Sequence, residues 1–401
     1  MTTGPLSGIR VLDMTSVVLG PVATHILADY GAEVIKIEPP EGDLMRANGV
    51  SLHKGMSSIF LAINRNKRSL AVNTKTEAGK DVIRRLIPTV DVFVHNMRVQ
   101  AIERLGFGYA EVAKIRPDIV YCVATGFGQD GPYKDQPAFD DIIQSASGLV
   151  GLNRANLGVA QYAPSLLADK TIGVYLANAV MAGIVHRLRT GQGQCVEVPM
   201  FETMTAFMLA EHLGGLTFDP APAPPGYARI LAGGRRPHPT LDGHISMLPY
   251  TEDHWVAFFT EAGRPEAIEQ YHVHDRHERN KHIQALYALM GEITAQKSTA
   301  HWMEVCARLD IPATPIYALD QLPEHPHLKA VGFFQEAEHP TEGPMRYVRP
   351  TVKFSASPSA VRNQAPLLGQ DSAAVLRELG YAEDEIARML ADKVITAPLK
   401  P

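Results

Sequence analysis

A chain of 401 residues is longer than one ordinary hydrophobic core encloses, so length alone calls for two domains. With 45% hydrophobic and 20% charged residues the composition is that of a globular protein, and 38 basic against 43 acidic side chains leave a net charge of -5. Such a balance exerts no broad pull on nucleic acid or an anionic membrane, so neither is expected as a partner.

The three cysteines, Cys122, Cys195 and Cys306, are far apart and odd in number. They argue against a disulfide framework and suit a reducing, cytoplasmic setting. The opening MTTGPLSGIRVLD lacks the basic-then-apolar order of a signal peptide, and no uncharged apolar stretch of membrane-spanning length is expected.

In chain order, residues 9–14 read as a short apolar strand. Gly20-Pro21 then breaks the chain, with Pro21 suited to the first position of a helix over 22–30 and Gly31 placed to end it. Glu33 to Glu38 (EVIKIE) is a second strand, which makes a right-handed βαβ unit with parallel strands. The alternation continues with a helix over 76–86, a strand over 91–94, helices over 99–105 and 109–115, and a strand over 119–124. This is the doubly wound α/β pattern.

Residues 165–189 read as one long helix with Ile172, Leu176, Val180, Ile184 and Leu188 on a single stripe. A strand over 195–198 and a helix over 202–212 follow. Prolines between 214 and 226 then mark a linker. Beyond it a strand is expected over 243–248, with helices over 254–262 and 281–310, and the terminal 370–390 is again helical. The expected organisation is a large domain begun by residues 1–213, a linker at 214–241, a small domain at 242–322, and a return through 323–401 that completes the large domain.

Asp169 falls in the first turn of the long helix, where free amides and the helix dipole would favour its ionised form. Two readings are open: an acid that satisfies backbone donors, or a carboxylate nucleophile able to attack a carbonyl carbon. Arg65, Lys67 and Arg68 form a basic cluster ahead of a strand-like run at 70–72, either a solvated face or a phosphate patch. Asn96, Met97 and Arg98 should lie beyond the carboxyl end of a parallel strand, where open α/β sheets bind ligands, with Arg104 nearby.

The first βα turn, TSVVLGP, has one glycine where a G-x-G-x-x-G cradle needs three, which excludes a dinucleotide fingerprint. The histidines at 272, 274, 277 and 282 match no familiar metal-ligand spacing, and no metal is expected. Gly233, Gly234, Arg235 and Arg236 make a flexible basic loop, either a plain connection or a lid whose arginines pair with a substrate carboxylate.

Ordered segments along nearly the whole chain resemble the class III CoA-transferases, the CaiB/BaiF family. They include VLDMTSVVLGPVATHILADYGAEVIKIEPPEGDLMR, NRNKRSLAVNTKTEAGK, DVFVHN, ATGFGQDGPYKDQPAFDDIIQSASGL, LLADKTIGVYLANAVMAGIVHRLRTGQGQCVEVPM and PLLGQDSAAVL. The resemblance implies a Rossmann-like doubly wound large domain and a smaller α+β domain, with two chains interlocked as a homodimer. It makes Asp169, in LLADK, the nucleophile that moves CoA between carboxylic acids through a mixed anhydride and an aspartyl-CoA thioester. CoA and acyl-CoA are then substrates, and no tightly bound cofactor is implied.

The family's CoA contacts carry over to the positions of Val18, Lys75, Asn96, Met97, Arg98, Ala101, Arg104 and Asp140, and its glycine loop to Gly233–Arg236 less closely. Val18 and Pro39 stand where formyl-CoA-specific members have a polar and a basic residue, which points away from oxalate and formyl-CoA. The same fold hosts α-methylacyl-CoA racemases, whose His-Asp pair is Phe139-Asp140 here; phenylalanine moves no proton. Racemase chemistry, or acyl-CoA binding without catalysis, is the alternative.

Overall fold

A computed structural model describes residues 4–231 and 235–398, which fall into two units. The first contains the chain up to Ser147, Tyr162–Phe207 and the chain from His327 onward. Its centre is a six-stranded sheet of β1 (Arg10–Met14), β2 (Glu33–Glu38), β3 (Lys67–Ala71), β4 (Val92–His95), β5 (Val120–Thr125) and β6 (Gln194–Pro199). All neighbouring pairs are parallel and the order is β3-β2-β1-β4-β5-β6. Val11, Leu12, Val34, Ile35, Val92, Phe93, Val94 and Val120 are fully buried, the near-continuous apolar character of strands covered on both faces. The strand order reverses between β1 and β4, the switch point beyond whose carboxyl ends open α/β sheets bind their ligands.

The first helix, Leu19–Asp29, begins earlier than expected and places Pro21 third rather than first. Proline is tolerated there because the amides of the first turn have no partner within the helix. Gly20 permits the early start: a Cβ on it would lie 2.2 Å from the Cβ of Thr15.

The long helix runs Leu167–Thr190 and buries Ile172, Leu176, Val180 and Ile184. Two glycines allow its close approach. A Cβ on Gly173 would meet the carbonyl oxygen of Leu19 at 2.7 Å, and one on Gly183 would meet Cγ1 of Val120 at 2.6 Å. Leu188, expected on the same stripe, is 70% exposed. Each four-residue step turns the helix by about 40°, so four steps carry the stripe nearly to the opposite side. By length and composition this helix is long and apolar enough to cross a membrane, although Asp169, Lys170, Arg187 and Arg189 confine its uncharged run to 171–186. Packing of its buried face within the first unit accounts for part of that apolarity.

The returning chain completes this unit. Val375, Leu376 and Ile386, from helices Ser372–Glu378 and Glu383–Ala391, join Leu12, Ile35 and Phe93 in one core. Asp371 binds the amide of Ser69 at 2.9 Å and Ile395 bridges Val72, so the β3 edge is covered. Strands Phe334–His339 and Gly343–Val348 form a separate hairpin.

The second unit contains Gly148–Gln161 and Met208–Pro326. Strands His238–Thr240, Gly243–Met247 and Ala313–Pro315 make a small antiparallel sheet. Trp255, Phe258, Phe259, Leu286, Met290 and Trp302 form its core. The single helix expected over 281–310 is two, Ile283–Thr294 and Thr299–Arg308. Ser298 starts the second by accepting the amide of His301, and such a hydroxyl favours a helix beginning over a helix interior.

Candidate active site

At the switch point the turn after β1 meets the turn after β4. The side chain of Asn96 accepts the Ser16 amide at 2.9 Å and donates to the Ser16 carbonyl at 2.8 Å, tying the two turns together. A third wall is the segment after β5. Glu202 accepts the Gly128 amide at 2.8 Å and Glu197 accepts the Gln129 amide at 3.0 Å, which holds this segment in place. The start of the Leu167–Thr190 helix supplies Asp169. Together these elements enclose a cavity of about 290 Å³. Its lining includes Ser16, Val17, Asn96, Met97, Arg98, Gln129, Lys134, Phe139 and Asp169.

Asp169 is only 7% exposed. Its amide donates to Oδ1 of Asp140 at 2.9 Å, and its own carboxylate has no hydrogen-bond donor among the described residues. Burial, and then the neighbouring carboxylates of Asp140 and Asp141, push its pKa up to about 7. This corrects the expectation that the helix start would favour the ionised form. The dipole is present, but desolvation and like charge outweigh it.

A cavity of about 550 Å³ opens elsewhere in the same unit, bordered by His25, Asp29, Arg65 and Tyr347. Its acid, Asp29, is neutralised by Arg65 at 2.7 Å. The smaller cavity is the better candidate because it lies at the switch point and holds a carboxyl with no counter-ion among the described residues.

Of the residues singled out in the sequence, Asp169, Asn96, Met97 and Arg98 line this cavity together. Asp140 is buried behind it and contacts Asp169. Val18 is buried in an apolar cluster with Met45, Phe60 and Ala365 and does not line the cavity. Lys75 is exposed in the turn after β3, Arg104 is exposed on the helix Val99–Leu105, and Ala101 is half-buried there; none of the three borders the cavity. Arg235 and Arg236 are exposed and belong to the second unit, while Gly233 and Gly234 lie outside the described residues.

The basic cluster is neither a solvated face nor a phosphate patch. Arg65 pairs with Asp29, Lys67 is buried at 3.4 Å from Asp13, and Arg68 binds Glu33 at 2.7 Å and Glu378 at 2.6 Å. Sequence reasoning passed over Gln129 and Lys134, which line the cavity, and the buried Lys36 behind it. A lysine inside the apolar EVIKIE strand was the available signal, since such a residue enters a core only with a partner.

Residues 6–372 match the sequence pattern of CoA-transferase family III. The succinyl-CoA:glutarate CoA-transferase of Mus musculus is 31% identical over 98% of this chain and 90% of its own length. A formyl-CoA:oxalate CoA-transferase of Escherichia coli is also 31% identical, over 98% of this chain and 99% of its own. The crystal structure of a CaiB/BaiF family protein from Brucella suis superposes with a TM-score of 0.79 at 27% identity, covering 94% of this chain and all of that one. Rv3272 from Mycobacterium tuberculosis superposes with a TM-score of 0.81 at 26% identity over 94% of this chain. A parallel sheet with a buried acid at its switch point is thus found in a chain that belongs to CoA-transferase family III. It is an enzyme of that family, with CoA thioesters as substrates.

Proposed function

We propose that the carboxylate of Asp169 carries the transfer of CoA from an acyl-CoA to a carboxylic acid by covalent catalysis. An oxygen of Asp169 attacks the thioester carbonyl carbon, the C–S bond breaks, and CoA leaves as a thiolate from the mixed anhydride. The thiolate adds to the Asp169 carbonyl carbon and expels the donor acid as its carboxylate, which leaves an aspartyl-CoA thioester. The acceptor carboxylate reverses the two steps, so no net proton is consumed and Asp169 is regenerated. Each step exchanges one acyl bond, which avoids direct attack of a weakly nucleophilic free acid on the donor thioester.

The observation that carries this reading is a nearly buried carboxyl, with no counter-ion among the described residues, on the wall of the switch-point cavity. Ser16, Val17, Asn96 and Met97 are suited to the pantetheine arm, and Arg98 and Lys134 to the phosphates. Lys75, Ala101 and Arg104 belong to the nucleotide end of CoA on this reading. Val18 and Asp140 act from behind the surface. The described lining contains no histidine, which favours transfer over racemisation.

Small dicarboxylic acids are the acceptor class we favour. Both curated relatives carry names that join a CoA thioester to a dicarboxylate, and Arg235 and Arg236 supply forked donors in the second unit. We also infer a homodimer: Val174, Val185 and Leu188 are 55%, 53% and 70% exposed on one helix, an apolar surface of the kind a second copy covers.

Mass spectrometry after incubation with a panel of acyl-CoAs and trapping with hydroxylamine tests the mechanism. Modification at Asp169, lost in Asp169→Ala, is expected. No adduct, together with solvent deuterium at the α-carbon of a branched acyl-CoA, would replace transfer with racemisation.

A further inference from the structure

Lys36 and Asp43 sit just behind the cavity, with side chains 0% and 1% exposed and Nζ 2.8 Å from Oδ2. Neither touches the cavity, yet both reach the backbone of one turn that lines it. Lys36 Nζ donates to the Thr15 carbonyl at 2.9 Å, and Asp43 Oδ1 accepts the Val17 amide at 3.2 Å. Asp43 Oδ1 also accepts the Met45 amide at 2.9 Å, which fixes the short turn Leu44–Arg46 and with it Leu44, another cavity residue. A second layer anchors the strand end, where Asp13 accepts the Thr15 amide at 2.9 Å.

The turn so held is strained. Val17 has a φ of 69°, the left-handed region, where a β-branched residue is a genuine outlier. Strain of this kind persists only where the surroundings enforce it, and it concentrates at functional sites. Asn96 holds Ser16 from one side of the turn, and the buried ion pair holds Thr15 and Val17 from the other. As a stability device the ion pair is a poor choice, because well-packed apolar residues commonly replace such pairs at no loss.

We infer that Lys36 and Asp43 are positioning residues for the reaction at Asp169, holding the Thr15–Val17 turn in its strained form against the bound thioester. The inference rests on the reading of Asp169 as nucleophile. Misplacement of a substrate-positioning group by about an ångström costs on the order of a hundredfold in rate, so the effect belongs in kcat.

The test compares the parent with Lys36→Met/Asp43→Leu, which removes both charges and leaves no buried ion unpaired. The expected result is a melting temperature within a few degrees of the parent, a kcat at least tenfold lower and a KM for acyl-CoA within about twofold. In a Val17→Gly background, where the turn takes positive φ without being forced, the same pair replacement should cost kcat several-fold less. A purely structural pair would not produce that coupling.

A folded double variant with kcat within twofold of the parent overturns the inference. If the apolar pair does not fold, Asp43→Asn carries the test, because it keeps an acceptor for the Val17 amide and gives up the charge that secures Lys36. A kcat at least fivefold lower at unchanged KM supports the positioning role, and the parent kcat overturns it. Asp169→Ala run alongside separates the two readings. If it turns over, the nucleophile assignment fails; if it is inactive while the pair variants are fully active, only the positioning role fails.

Discussion

Replacing Asp169 by asparagine should abolish transfer and make the protein more stable at alkaline pH. The carboxyl is held at a pKa of about 7, against 3.8 for an ordinary aspartate. Because the folded pKa lies above the unfolded one, the acid's contribution to stability is fully present below pH 3.8 and is lost as pH rises through 7. At about 1.4 kcal/mol per pH unit, the parent forfeits about 1.5 kcal/mol by pH 5 and about 4 kcal/mol by pH 8. Asparagine keeps nearly the same shape and never ionises, so Asp169→Asn should match the parent below pH 4 and exceed it by a margin that grows up to about pH 7 and then levels off.

The assay is urea unfolding followed by far-ultraviolet circular dichroism at several pH values. Fluorescence would be misleading, because both tryptophans, Trp255 and Trp302, belong to the second unit whereas Asp169 belongs to the first. A stability gap that stays constant with pH, or an asparagine variant weaker than the parent at pH 8, would refute the reasoning. It would mean that the helix start holds the acid as a stabilised anion after all.

Three further outcomes follow from the same geometry. The single-turnover rate of acyl transfer to the free enzyme should rise roughly tenfold between pH 6 and pH 8 as Asp169 ionises, and Asp140→Asn should move that profile to lower pH by on the order of one unit, because one like charge is gone. Gly20→Ala should cost about 1–3 kcal/mol in urea unfolding and lower the transfer rate, since its methyl would lie 2.2 Å from Thr15 Cβ and displace the β1 turn.

Much of the first unit was legible because parallel strands are apolar runs bounded by breakers. β1, β2, β4, β5 and β6 each lie within a residue or two of the positions read from pattern. β3 was read late because its first residue is Lys67, a charge the pattern places outside. Asp13, Thr24 and Asn64 draw it in, with contacts to its Nζ at 3.4, 2.7 and 2.9 Å. Asp169 was visible as a residue at a helix start, and only the family resemblance gave it a role. Its environment was not visible, because Asp140 is 29 positions away and the desolvation that raises its pKa is a property of the assembled cavity. For the same reason the Lys36–Asp43 pair escaped notice, although EVIKIE displays the lysine openly.

The raised pKa of Asp169 makes chemical sense on the proposed route. At pH 7 a group with a pKa of about 7 is half ionised, so the loss in reactive population is about twofold. In exchange the carboxylate is more basic and less solvated than an ordinary aspartate, and both properties favour attack on a thioester. The covalent states that follow gain further. The mixed anhydride and the aspartyl thioester carry no charge on Asp169, so burial and the nearby Asp140 and Asp141 penalise only the free anion. On that route the cavity raises the resting enzyme in energy relative to the proposed covalent intermediates. A helix start alone would do the reverse, holding the free carboxylate in a well from which attack is slow.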